Sequence, residues 1–393
     1  MLDLKLTQAA IRGKLEALIR DVGGYPDVIA QVSEAYRRFR EASQVRRSLD
    51  EDPSLMRDCH EAAYPLEDGQ VVEPPMDVGG FKPSEADWAR KALDGEVVVG
   101  VDTSEMPPST HLSPSFLFTN VGFSMMSYVE QTIHVEGSRA YFYPHSEMVD
   151  LYAMGESSSI PSWAVDVTRM DCEERVLKEL LPEEGRNSQP CVLFDESFSA
   201  SYLSAVSRTR RAKVVERMDR MHGDLIEMGI APVGVFYTSS SAFVTMIRRG
   251  LMRGSGLETG GWRRVRDSTL FIRLLPPGWR SPAFKVRNRL ADEFDRDIVG
   301  FYLKAGGDSI IRVELPEPLL DQVEDVHRIV AAQSALGGGY PYVLQRAHEQ
   351  AYMRPGERQW VLDYMNRLIG EEAGIRDAVK LSRKEMRKVV GLV

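Results

Sequence analysis

Apolar positions divide the chain into short unbroken runs and longer periodic stretches. Residues 97–101 read V-V-V-G-V and lead into Asp102, Thr103 and Ser104. A run this short and this rich in β-branched residues predicts a strand buried on both faces, not a helix. The pattern recurs at residues 191–194, C-V-L-F, which lead into Asp195, Glu196 and Ser197. Residues 231–238, A-P-V-G-V-F-Y-T, form a third buried run. Further strands are predicted at 116–126, 139–143, 269–275, 298–304 and 310–315. Helical spacing marks Ile11, Leu15, Leu18, Ile19 and Val22, stopped by Gly23 and Gly24, and then Val28, Val32, Tyr36 and Phe39. Ser84 and Asp87 read as the start of a short helix ended by Gly95. Residues 172–181 and 208–228 are helical, the second closed by Gly229. From Leu319 onward the pattern is helical, broken by Gly337-Gly338-Gly339-Tyr340-Pro341.

Interleaved strands and helices make the chain α/β. The sheet is mixed, because several neighbouring strands are joined by stretches too short for a helical crossover. Residues 1–95 read as a helical N-terminal segment with a flexible polar stretch at 46–82. Residues 96–370 form the main domain, and 371–393 a basic amphipathic C-terminal helix.

No run of about 18 apolar residues exists, so no membrane span is expected, and the N-terminus lacks an apolar signal region. The three cysteines, Cys59, Cys172 and Cys191, fit neither a disulfide frame nor a zinc site, which points to a reducing cytoplasm. A net charge of −9 argues against a uniformly nucleic-acid-binding surface. The charge is unevenly spread, however. Arg208, Arg210, Arg211 and Lys213 form a basic run, followed by Arg248, Arg249, Arg253, Arg263, Arg264 and Arg266.

The chain has no G-x-x-x-x-G-K-[ST], no G-x-S-x-G and no H-E-x-x-H. Gly254, Gly256, Gly260 and Gly261 do not fit a dinucleotide fingerprint and read as a flexible loop. The two acid-ended strands carry the stronger signal. A lone strand-end Asp also serves as a turn cap, but two on adjacent strands would repel, and a divalent ion bound by oxygen ligands, Mg²⁺ or Mn²⁺, removes that cost. Such ions activate water and stabilise the leaving oxygen of a phosphodiester. Glu173 and Glu174, on the helix before the second acidic strand, are candidates for a third acid. His348, beside Arg346 on a helix, is an acceptable ligand for Mn²⁺. His60, His111, His134, His145, His222 and His327 read as structural.

In these pieces the chain resembles the NurA nucleases. G-V-D-T-S at 100–104 and L-F-D-E-S at 193–197 are similar to the family's two acidic strands, usually D-G-S and D-G-S-L. L-L-P-P-G-W-R-S-P-A-F at 274–284 resembles its G-x-R-S-x-x-F segment. F-Y-L-K at 301–304, R-V-E-L-P at 312–316 and G-Y-P-Y-V-L-Q-R-A-H at 339–348 are similar to its closing strands and its Y-P…A-H signature. The resemblance covers residues 97 to about 360. It implies a ribonuclease H-like mixed sheet flanked by helices, to which the N-terminal helical segment is an addition. It also implies a Mn²⁺-dependent deoxyribonuclease, a 5′–3′ exonuclease and single-strand endonuclease acting in DNA end resection and repair. The expected partners are DNA, a HerA-like hexameric ATPase and a second copy of the chain.

The resemblance places metal ligands at Asp102, Glu173, Asp195 and His348, with Glu174 in reserve and Tyr340 in the site. Arg208, Arg210, Arg211, Arg280 and Arg346 are expected to hold DNA phosphates. In both D-x-S motifs the family's Gly is replaced, by Thr103 and Glu196, which puts a side chain where the family keeps backbone. A catalytically impaired scaffold that binds DNA or an ATPase is therefore the alternative.

Overall fold

Two apolar clusters lie on opposite faces of one sheet, and the alternation along each strand decides which residue goes to which. Val98 of the first buried run belongs to one cluster, Val99 and Val101 to the other. The computed structural model describes residues 7–8, 11–16, 25–38, 61–74, 86–106, 115–152, 160–182, 189–251, 262, 265–288, 290 and 293–373. Its strands are β1 (Glu61–Pro65), β2 (Val97–Met106), β3 (Phe116–Ser127), β4 (Ile133–Pro144), β5 (Cys191–Phe194), β6 (Ala231–Phe236), β7 (Phe284–Asn288), β8 (Ile298–Gly306) and β9 (Ser309–Pro316). The helices are α1 (Tyr25–Arg38), α2 (Ala86–Ala92), α3 (His145–Tyr152), α4 (Ser162–Leu180), α5 (Arg208–Glu227), α6 (Ala242–Leu251), α7 (Asp267–Leu274), α8 (Val323–Leu336), α9 (Tyr342–Ala351) and α10 (Pro355–Ala373).

The strand order is β1-β7-β8-β9-β6-β5-β2-β3-β4. β2, β3 and β4 form an antiparallel meander. The chain then crosses through α4 to β5, which lies parallel to β2, and through α5 to β6, parallel to β5. This is the ribonuclease H-like arrangement. β9, β8, β7 and β1 extend it antiparallel. Helices α1 and α4–α7 cover one face, α2, α8 and α9 the other. β4 is an edge strand with most positions exposed, and its charged residues Glu136 and Arg139 suit an edge open to water.

Three expectations need correction. Residues 269–275 are not a strand, because α7 spans Asp267–Leu274. A short apolar run does not distinguish a buried strand from a buried helix. The polar stretch at 46–82 contains β1, whose Glu61 is buried and ion-paired with Arg312 at 2.6 Å, so its acid disguises a sheet position. The helix expected at 172–181 begins ten residues earlier, at Ser162. The glycine loop at 254–261, Arg253, Arg263, Arg264, Gly23, Gly24, Ser84, Cys59 and the tail beyond Ala373 lie outside the described residues.

Candidate metal centre

β2 and β5 run parallel with Val101 opposite Phe194. Asp195 follows the end of β5, but Asp102 does not end its strand as expected, because β2 runs on to Met106 beside β3; the two acids are neighbours just past the last paired residues of β2 and β5. Asp102 also sits opposite Gly122 of β3. Side-chain alternation places Asp102 on the same face as Gly100, the face covered by α9. A Cβ on Gly100 would stand 2.4 Å from Val343 O, and one on Gly122 would stand 2.3 Å from Ala347 O. Both glycines therefore let α9 lie directly on the sheet. That close approach brings His348 to Asp102, with Nδ1 2.7 Å from Asp102 Oδ2. Nδ1 is then the protonated nitrogen, and Nε2, on a side chain 64% exposed, remains an acceptor or ligand. The other carboxylate oxygen, Asp102 Oδ1, accepts the Thr103 amide at 2.8 Å.

Asp195 is held by Tyr340. The Tyr340 hydroxyl donates to Asp195 Oδ1 at 2.7 Å and lies 2.9 Å from Val235 O. A glycine turn sets this tyrosine in place: Gly338 and Gly339 adopt φ of +68° and +121°, and Gln345 Nε2 donates to Gly337 O at 2.6 Å and Tyr340 O at 3.1 Å. The Tyr340 ring stacks on Tyr237, centroids 5.1 Å apart. Burial pushes the Asp195 carboxyl above its ordinary value. The Tyr340 hydrogen bond opposes this, and the Asp102 and Glu196 charges add to it.

Glu173 approaches from the opposite face. It lies on α4, buried, and accepts the Thr103 hydroxyl at 2.6 Å and Arg169 Nη1 at 3.0 Å. Arg169 Nη2 donates in turn to Glu196 Oε2 at 2.6 Å. Burial, with Glu196 nearby, raises the Glu173 carboxyl to about 7 against the pull of Arg169. Glu174 points elsewhere and is ion-paired with Arg217 and with Lys178, which removes it from the site.

Between these groups lies a cavity of about 370 Å³, lined among others by Asp102, Glu105, Asp166, Arg169, Asp195 and Glu196. Glu105 and Asp166 both have carboxyls raised by burial. Neither these two acids nor Arg169 were singled out from sequence. Glu105 follows Asp102 on the same strand, and Arg169 precedes Glu173 by one helical turn. That spacing is the only signal that would have found them.

The donor set fits a hard divalent cation. Asp195 is burdened by burial and by Asp102, and Glu196 Oε1 is buried without a hydrogen-bond partner among the described residues. A cation relieves both. Among the described residues no three His, Cys, Asp or Glu side chains converge closely enough to enclose an ion. A pair of acids gives the partial shell that Mg²⁺ or Mn²⁺ completes with water and phosphate oxygens.

The expected phosphate contacts separate. Arg208 and Arg210 are exposed at the start of α5. Arg211 is paired with Glu293, and Arg346 with Glu136 and Glu349. Arg280 is fully buried, with its guanidinium on Glu67 at 2.5 and 2.8 Å, so it holds the fold together and is not presented to DNA. His327 and His222 are buried, and burial drives both imidazoles down to about 3.

Residues 158–352 match the NurA domain family. The crystal structure of the NurA nuclease from Sulfolobus solfataricus aligns with a TM-score of 0.51 at 10% identity, covering 94% of this chain and 98% of that one. A crystal structure of NurA with manganese aligns with a TM-score of 0.36 at 11% identity, over 71% of this chain and 90% of that one. At these identities the first likeness is one of fold. No curated protein matches the sequence.

Proposed function

The chain belongs to the NurA family, with its family domain at residues 158–352, and on that premise we propose that it is a metal-dependent deoxyribonuclease. One observation carries the reading: Asp102 and Asp195 each follow the last residue paired between the parallel strands β2 and β5, so they stand side by side, flanked by His348 and Tyr340. Asp102 and Asp195 would hold one or two divalent ions, with His348 favouring Mn²⁺ over Mg²⁺. When bound, the metal supplies activation of the attacking water and charge stabilisation at the phosphodiester. His348 orients Asp102 through Nδ1. Tyr340 fixes Asp195 with its one hydroxyl hydrogen and so positions it beside the scissile phosphate. Glu173, the third acid expected from the family resemblance, is engaged with Thr103 and Arg169 in this structure. Arg208 and Arg210 steer the backbone of the strand to be cut.

The finer expectations follow the family resemblance: 5′–3′ exonuclease and single-strand endonuclease action in end resection, as a cytoplasmic homodimer beside a HerA-like hexameric ATPase. A second reading, a scaffold that binds DNA or the ATPase without cutting, is favoured by Arg169, which already neutralises Glu173 and Glu196. A nuclease assay on single-stranded and blunt duplex DNA with Mn²⁺, Mg²⁺ or chelator decides between them. The nuclease reading expects Mn²⁺-dependent cleavage that is absent from Asp102→Asn and Asp195→Asn. DNA binding without cleavage by the wild type in either metal would establish the scaffold.

A further inference from the structure

The chain that leaves β6 begins with Tyr237, 60% exposed. Single exposed aromatics are ordinary, but this one is placed by the site. Its ring stacks on Tyr340 with planes inclined by 21°, and Tyr340 in turn donates to Asp195. Tyr237 is thus one aromatic ring away from Asp195, while most of its own surface faces solvent. Among the described residues, positive charge close to the acids is already committed, since Arg169 is paired with Glu173 and Glu196, and Arg346 with Glu136. A substrate strand therefore meets few phosphate contacts from the described residues near the cavity. A neutral contact to a base adds affinity there without adding to the repulsion.

We propose that Tyr237 is a stacking platform for a nucleobase next to the scissile phosphate and thereby selects unpaired DNA. The proposal rests on the nuclease reading. Every base has a π-face, so stacking is tolerant of sequence. A base inside a duplex is already stacked on both sides and offers no face to the ring. Single strands and frayed ends do.

The test uses the full chain with Tyr237→Phe, Tyr237→Leu and Tyr237→Ala, each shown by melting to be folded. Binding to a single-stranded oligonucleotide is measured in chelator, with a single abasic residue stepped along the strand and with 2-aminopurine at the most sensitive position. Tyr237→Ala and Tyr237→Leu should weaken single-strand binding by about 5- to 100-fold, leave blunt duplex binding unchanged and abolish 2-aminopurine quenching. Tyr237→Phe should keep all three properties. One abasic position should cost the wild type the same factor and cost Tyr237→Ala nothing more. Equal losses on single and double strands, or an abasic penalty that persists in Tyr237→Ala, would show that Tyr237 only supports Tyr340. Mn²⁺-dependent cleavage by the wild type is scored in parallel. Its absence overturns the nuclease reading, whereas cleavage without any abasic signature overturns the stacking alone.

Discussion

Asp102 is held by His348 and the Thr103 amide and Asp195 by Tyr340, with no salt bridge to lysine or arginine among the described residues, and this sets their energetics. Asp195 carries a carboxyl raised by burial and by the charge of Asp102. Removing one of the two charges relieves repulsion, so Asp102→Asn or Asp195→Asn should melt no lower than wild type in chelator. Mn²⁺ should raise the melting temperature of wild type through binding linkage, and either variant should lose most of that gain. Loss of stability in both variants regardless of metal would identify them as structural acids. Tyr340→Phe removes the one hydroxyl donor on Asp195 and should cut cleavage at least about tenfold while the chain stays folded, because a hydrogen bond to a charged group is worth roughly 1.5–3 kcal/mol. At this scale the sequence was readable where the chemistry is written in residue type. Asp102 and Asp195 stand side by side past the paired stretch of β2 and β5, with His348 on the first and Tyr340 on the second. It was unreadable where position depends on partners. Thr103, in place of the family's Gly, ties Glu173 to the far face of β2, and Arg280 looks like a phosphate contact until Glu67 is seen against it.

At the scale of elements, the buried strands β2, β5 and β6 were legible because an unbroken run rich in β-branched residues suits the interior of a sheet. β1 and α7 were not, since one hides its core position behind Glu61 and the other has an apolar run as short as a strand's. The seat of α9 depends on glycines that no pattern of hydrophobicity marks. Gly122→Ala would force a methyl group onto the Ala347 carbonyl and lift α9 from β3. Its expected cost is about 1–3 kcal/mol in denaturant unfolding, together with a drop in cleavage, although no site side chain is altered. Unchanged stability would mean the helix does not sit this close. On α5, Asp219 is buried and accepts the Asp295 amide at 2.9 Å, and burial raises its carboxyl to about 6 from 3.8. A raised acid stabilises the fold fully below the unfolded value, and the contribution is lost as pH rises through the folded one. Wild type should therefore lose up to roughly 3 kcal/mol relative to Asp219→Asn between about pH 4 and pH 6. Parallel melting curves for the two proteins across that window would refute this.

For the whole molecule, a net charge of −9 sets the terms of DNA binding. The electrostatic part of the affinity has to come from local arginines and should fall steeply with salt. Arg208→Ala with Arg210→Ala should weaken binding to all sequences alike and flatten the salt slope by about 1.4, near 0.7 per single-strand phosphate contact. A sequence-selective loss would mean these arginines touch bases. Arg280→Ala should leave that slope untouched and instead cost about 3–5 kcal/mol of stability, because Glu67 loses its partner.

The far edge of the sheet has a consequence in time. β1 leaves the ribosome early, but its partner β7 is made about 200 residues later, so the strand stays unpaired through most of synthesis and its pairing is among the most non-local in the fold. An apolar strand left waiting that long would invite association between nascent chains. The acids that made this stretch read as a loop, Glu61, Glu67 and Asp68, keep it hydrated until Arg312 and Arg280 emerge to neutralise Glu61 and Glu67. The same charges that hid the strand from a hydrophobicity pattern therefore protect it during translation and then help to dock it.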